Sequence, residues 1–131
     1  MFNHITVGSN DLERAGRFYD ALLFPLGLKR RIVDPDGGPR ALCWIVEDHL
    51  PRFYVYEPYD GQPAHPGNGV MVAFRAQTEA EVIAAYDGGM ANGGSDEGAP
   101  GLRPHYASSY FGAYLRDPDG NKIHIVRRAS D

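Results

Sequence analysis

The sequence predicts an α+β fold in which two βαβββ modules form a cupped mixed sheet around a cleft, and three observations carry that prediction. The first is an internal repeat. A shift of 67 positions carries His4-Ile5-Thr6-Val7 onto Met71-Val72-Ala73-Phe74, Tyr19-Asp20 onto Tyr86-Asp87 and Gly27 onto Gly94. The second is that in both copies a short apolar alternation runs directly into a capped amphipathic helix. The third is the number of strand-like runs, which leaves helices enough to cover only one face of each sheet. Matched strands of such a repeat face one another across a shared cleft, so equivalent positions become candidates for one site.

The elements follow in order. Phe2 to Val7 alternates as a strand. Asn10 and Glu13 have the spacing of a capping box, and Asp11 adds negative charge at the positive helix end. Leu12, Ala15, Tyr19, Leu22, Leu23 and Leu26 keep the helical period until Pro25 and Gly27 stop it. Leu28 to Val33 is the second strand, Asp34-Pro35-Asp36-Gly37-Gly38-Pro39 a turn, Arg40 to Val46 the third strand and Arg52 to Glu57 the fourth. These residues make module one, 1–57. Residues 58–69 break every regular pattern and connect it to module two, 70–131, within a single domain, 1–131. Val70 to Ala76 reopens the pattern, and Thr78 with Glu81 caps a helix faced by Val82, Ile83, Tyr86 and Met90. The glycine-rich stretch 88–104 reads as a mobile loop, a candidate lid. Tyr110 to Asp117 and Lys122 to Arg127 are strands joined by the hairpin turn Asp117-Pro118-Asp119-Gly120-Asn121. Asp-Pro-Asp-Gly also occurs at 34–37, but that offset is 83, so it is shared turn chemistry and not part of the repeat.

Composition narrows the function. With 131 residues, a net charge of −4 and a pI near 5.7, the chain lacks the clustered basic face of a general nucleic-acid binder. No apolar stretch approaches the ~20 residues that span a bilayer. The opening residues have neither the charged nor the apolar region of a signal peptide, so the expected compartment is the cytoplasm. Cys43 is the single cysteine and excludes an internal disulfide framework. It lies in an apolar run and reads as a buried, inert thiol.

Two histidines stand out. His4 lies in the first strand, and His124 lies in the last, between Ile123 and Ile125, which point the other way. The repeat pairs His4 with Met71 and Glu57 with His124. Two imidazoles, a carboxylate and a thioether form an incomplete ligand set. Its nitrogen and oxygen donors suit zinc, nickel, manganese or iron, while Met71 is a poor donor to such ions. Arg103, just ahead of the Tyr110 strand, reads either as a clamp for a carboxylate or phosphate or as a solvated loop cation. Trp44, Tyr54, Tyr56, Tyr110, Phe111 and Tyr114 are candidates for an aromatic-lined pocket, although alternation turns only about half of them inward. Among the loop histidines His49, His65 and His105, the last is the best candidate for contact with a ligand.

The opening His4 strand, the Asn10-Asp11-Leu12-Glu13-Arg14-Ala15 helix start, Gly69-Val70-Met71-Val72-Ala73-Phe74 and the ending from Asp117 to His124 together resemble the vicinal oxygen chelate superfamily. That superfamily holds glyoxalase I, the fosfomycin- and bleomycin-resistance proteins and the extradiol dioxygenases. The resemblance covers nearly the whole chain. It implies a cupped sheet and, in catalytic members, a divalent metal held by the first and last strands of each module. His4 matches one such position, His124 replaces a usual glutamate, Met71 replaces a usual histidine, and the fourth falls near Val55 or Glu57. Two functions follow as expectations. One is a metal-dependent lyase, isomerase or dioxygenase for a small oxygenated molecule, with His4, His124 and Glu57 on the ion and Glu57 as the catalytic carboxylate. The other is a metal-free binder that sequesters a small molecule, which Met71 favours. The resemblance also implies a homodimer.

Overall fold

The computed structural model describes all residues 1–131 and contains eight strands and two helices. Strand β1 (His4–Gly8) leads to α1 (Leu12–Leu23), a 3-10 turn at Phe24–Leu26, β2 (Lys29–Arg31), β3 (Ala41–Val46) and β4 (His49–Tyr56). The second module repeats the order with β5 (Met71–Arg75), α2 (Glu79–Ala91), β6 (Ser95–Leu102), β7 (Phe111–Arg116) and β8 (Lys122–Arg127). Each module forms its own four-stranded mixed sheet, in the orders β1-β4-β3-β2 and β5-β8-β7-β6. The outer pair is parallel (β1 with β4, β5 with β8) and the remaining pairs are antiparallel. The predicted α+β class and the two βαβββ modules are therefore the observed architecture.

Helix α1 forms because one face is apolar and its first turn is capped. The cap is Asp11, not Asn10: its Oδ1 accepts from the Arg14 amide at 3.0 Å. Asn10 instead reaches the connector, accepting from the Ala64 amide at 2.7 Å and donating to the Ala64 carbonyl at 3.2 Å. The second cap is as predicted, with Thr78 Oγ1 accepting from the Glu81 amide at 3.1 Å. The Glu81 carboxylate turns back to accept from the Gln77 amide.

The stretch 88–104 is not a loop. Ser95–Leu102 is an eight-residue edge strand paired antiparallel with β7. Pro100 and two register irregularities are tolerated because the strand has a neighbour on one side only.

One hydrophobic core joins both modules. Phe18, Tyr19 and Leu22 of α1 pack with Trp44, Phe53 and Val55 of the first sheet and with Leu115, Ile123 and Ile125 of the second. Each such side chain contributes about 1.5–3 kcal/mol by leaving water. The helices approach closely at Gly88, where a Cβ would lie 2.6 Å from the Ala21 carbonyl oxygen. Both helices and the inner face of each sheet share this core, so the outer faces of the two sheets are left free.

The hairpin turn 117–121 clasps the modules together. Tyr19 Oη donates to Asp117 Oδ2 at 2.6 Å, Ser9 Oγ donates to Asp119 Oδ2 at 2.6 Å, and Asn121 Nδ2 donates to the Gly8 carbonyl at 2.9 Å. Arg14 pairs with Asp119 at 2.9 Å. Burial pushes the Asp117 carboxyl up, while the bonds from Tyr19 and Asn121 oppose that shift. The same tetrapeptide at 34–37 is exposed, and its Asp36 caps only its own turn through the Gly38 amide.

Candidate functional site

The outer face of the first sheet is set by strand alternation. Phe53 and Val55 enter the core, so Arg52, Tyr54 and Tyr56 point outward. Cross-strand register adds Thr6, Cys43 and Arg31 beside Tyr54, and His4 beside Arg52. His4 packs edge-on against Tyr54 with ring centroids 5.5 Å apart, Tyr54 and Tyr56 lie 5.7 Å apart, and Asn3 Oδ1 sits 2.8 Å from His4 Nδ1. Cys43 is buried beneath this row. Burial pushes its thiol up, against the pull of Tyr54, Arg31 and Arg52, and the cysteine is buried as expected. Neither Arg31 nor Arg52 joins an ion pair, and Arg52 Nε is shielded from water with no hydrogen-bond partner.

The outer face of the second sheet carries the aromatic candidates. His124 is 2 % exposed, and both ring nitrogens are engaged. Nδ1 lies 2.8 Å from the Ala113 carbonyl and Nε2 lies 2.7 Å from Tyr110 Oη. A carbonyl can only accept, so Nδ1 carries the proton and Nε2 accepts from the tyrosine. Tyr114, the register partner of His124, stacks on it at 4.0 Å and 6°, and Tyr110 lies 5.8 Å away at 15°. Tyr106 packs on Tyr110 at 4.9 Å and His105 packs on Tyr106 at 4.1 Å, which extends the wall. Gly112 leaves room for the imidazole, since a Cβ there would stand 2.7 Å from His124 Cε1. Arg103 and Lys122 place cations 5.8 and 5.4 Å from the Tyr114 ring. Burial pushes the Tyr114 phenol up to about 12, helped by Tyr110 and Tyr106. Burial also lowers the His124 pKa, and the Arg103 and Lys122 charges add to this while the Ala113 bond opposes it.

These positions correct several expectations. Trp44 does not line a cleft: it is fully buried on the helix side, where its Nε1 donates to Asp20 Oδ1 at 2.9 Å. Phe111 likewise packs against the core. Glu57 is not the counterpart of His124. The offset is 67 from His4 to Met71, but Arg52 and Lys122, the partners of those two residues, are 70 apart, so Tyr54 is the equivalent of His124. Glu57 follows β4 and accepts from Arg40 Nε at 3.0 Å in an exposed pair. Met71, 42 % exposed, borders a separate groove with Lys122 and Arg116. His4 and His124 lie on different sheets. His4 opens onto a cleft walled by Tyr56, Glu57, Tyr59 and His65, which does not include His124.

The donor set within one chain does not fit a metal centre. No three His, Cys, Asp or Glu side chains cluster. Arg52 is the register partner of His4, Tyr54, which carries no carboxylate, stands at the position equivalent to His124, and both nitrogens of His124 are occupied. Sequence reasoning passed over Arg52, Tyr106 and Gly112. Only the alternation that carried Tyr54 outward could have signalled Arg52, since both share its parity.

Known proteins agree with this architecture. No protein among those with curated descriptions matches the chain. A glyoxalase/bleomycin resistance protein from Albidiferax ferrireducens T118 is 40% identical, with a TM-score of 0.85 over 98% of this chain and 99% of that one. A glyoxalase-related enzyme from Fulvimarina pelagi is 22% identical, with a TM-score of 0.71 over 98% and 88%. TnmS3, an antibiotic binding protein from Streptomyces sp. CB03234, is 19% identical, with a TM-score of 0.67 over 97% and 94%. The Glyoxalase/Bleomycin resistance protein/Dioxygenase superfamily profile matches residues 1–125, and with the two clasped βαβββ modules this places the chain in that superfamily.

Proposed function

We propose that this protein binds a small aromatic molecule without a resident metal, in the manner of the bleomycin-resistance type. The observation that carries the reading is the set of near-parallel rings Tyr114, His124 and Tyr110, flanked by the cations of Arg103 and Lys122. Such a wall gives a planar ligand stacking area, and the two cations orient its electron-rich or anionic part. The antibiotic-binding neighbour on the same fold supports it. A second copy of the chain completes the cleft in this reading, because the outer faces of both sheets are free and Phe2, Leu50 and Val70 are exposed. Sedimentation velocity should therefore give a dimer. Calorimetry of chelator-treated protein against a panel of aromatic compounds tests the binding. We expect saturable binding that Tyr114→Ala abolishes, and binding or turnover that appears only with added divalent metal overturns the reading.

A second reading, a metal-dependent lyase, isomerase or dioxygenase, draws support from one feature. The Ala113 carbonyl holds the His124 proton on Nδ1, which leaves the Nε2 lone pair outward, the arrangement of a histidine ligand. It requires His4 and Glu57 of a second copy to approach His124 and Tyr110 to swing aside. Elemental analysis of untagged protein separates the two readings. Uptake of zinc, nickel, manganese or iron that His4→Ala or His124→Ala removes supports the enzyme.

A further inference from the structure

The groove that Met71 borders meets the aromatic wall of the second sheet at Lys122. It encloses about 560 Å³ and is lined by connector residues 66–70 and by Met71, Arg116 and Lys122. That volume lies within the range of small-molecule sites, roughly 300–1,000 Å³. Strand parity puts the last three on the outer face. Lys122 shares the parity of His124 on β8, Arg116 that of Tyr114 on β7, and Met71 is the register partner of Lys122. The connector is held beside them. The Val70 amide donates to the Gly67 carbonyl at 3.2 Å, and a Cβ on Gly120 of the hairpin would stand 3.2 Å from Pro66 Cγ.

Charge at this junction is one-sided. No aspartate or glutamate lines the groove. Arg116 is already matched, since its Nε donates to Glu97 at 2.7 Å and its Nη1 to the Gly120 carbonyl at 2.9 Å. Lys122 and Arg103 join no ion pair, and their charges lie 5.4 and 5.8 Å from the same Tyr114 ring. The chain as a whole carries a net charge of −4, so placement and not composition sets this local excess of cations.

We propose that the ligand of the aromatic wall is a planar aromatic carboxylate, its rings on the wall at Tyr114 and its carboxylate beside Lys122 at the mouth of the groove. This assignment rests on the aromatic reading and adds the ligand's charge to it. A ring seated on the wall keeps water from Lys122, and an ion pair made there is stronger than one in open solvent. The ammonium is a point charge with three donors, so it serves a carboxylate without a fixed approach. The Glu97 carboxylate on Arg116 opposes a doubly charged group, which favours a carboxylate over a phosphate.

The probes are 2-naphthoate and 2-naphthamide, which share a shape and differ in charge. Each is titrated by calorimetry into the chelator-treated full chain at neutral pH. The carboxylate should bind about tenfold more tightly than the amide, the equivalent of one charge-assisted hydrogen bond. Lys122→Met keeps an unbranched side chain and removes the charge, and it should erase most of that preference. Lys122→Arg should retain it. Binding of the amide as tight as that of the carboxylate, with both lost in Tyr114→Ala, overturns this inference and leaves the aromatic reading standing. A preference that survives Lys122→Met undiminished overturns it as well. Binding of neither probe overturns both.

Discussion

Tyr110 donates to Nε2 of His124 across 2.7 Å, while the Ala113 carbonyl holds the ring's proton on Nδ1. The imidazole is therefore neutral, fixed in one tautomer and stacked under Tyr114. Tyr110→Phe removes one of its two partners and leaves a shielded acceptor unpaired. Stability should fall by about 1 kcal/mol, read as a lower midpoint in urea unfolding. An unchanged midpoint would show that water takes the place of the hydroxyl.

His124 also sets a pH dependence. Its folded pKa is lowered from the ordinary 6.5, so below that value the unfolded chain binds a proton that the folded chain refuses. The unfolded state then holds more protons, and stability rises with pH across the window between the folded pKa and 6.5. The contribution is complete above that window and is lost as the solution is acidified through it. Thermal midpoints measured from neutral pH downward should fall, and in His124→Gln the slope should flatten. A wild-type curve flat through this range would contradict the assignment.

Gly112→Ala tests the space reserved for the imidazole. The new Cβ would meet His124 Cε1 at 2.7 Å and the Ile125 carbonyl oxygen at 3.2 Å. Neither yields easily, because one is pinned by two hydrogen bonds and the other is backbone. Overpacking of this kind costs about 1–3 kcal/mol. The His124 ring resonances should move as well, and a variant with wild-type stability and an unmoved His124 ring would count against it.

The clasp between modules makes a separate prediction. Tyr19→Phe deletes a buried hydroxyl that donates to Asp117 at 2.6 Å, a bond to a charged acceptor worth about 1.5–3 kcal/mol. Asp117→Ala should cost more, since the amides of Asp119 and Asn121 and the Asn121 side chain lose the same acceptor. Urea unfolding of both variants gives the order. Equal losses would mean that the tyrosine bond carries the whole effect.

Much of the fold is legible in the sequence because its signals are local. The alternation of β1 and β5, the Thr78–Glu81 cap and the 117–121 hairpin each depend on residues a few positions apart. Three features escaped for nonlocal reasons. Ser95–Leu102 has poor strand propensity and becomes a strand because β7 offers a partner. The counterpart of His124 shifted from Glu57 to Tyr54 because the modules differ in length between their first and last strands, which a single offset cannot follow. Trp44 turned into the core because β3 shows its even-numbered residues to the helices, and an apolar run conceals that parity.

By itself the sequence determined the duplicated modules, the order of their elements and which side chains share a strand face, because periodicity and capping act over short stretches of chain. Only the tertiary structure decided which faces meet. The two helices pack against each other beneath both sheets, so the shared core takes the inner faces and His4 and His124 are left on separate outer ones. That choice rests on helix contacts across sequence distances where no periodic signal reaches, and it separates two imidazoles that the repeat alone would have paired.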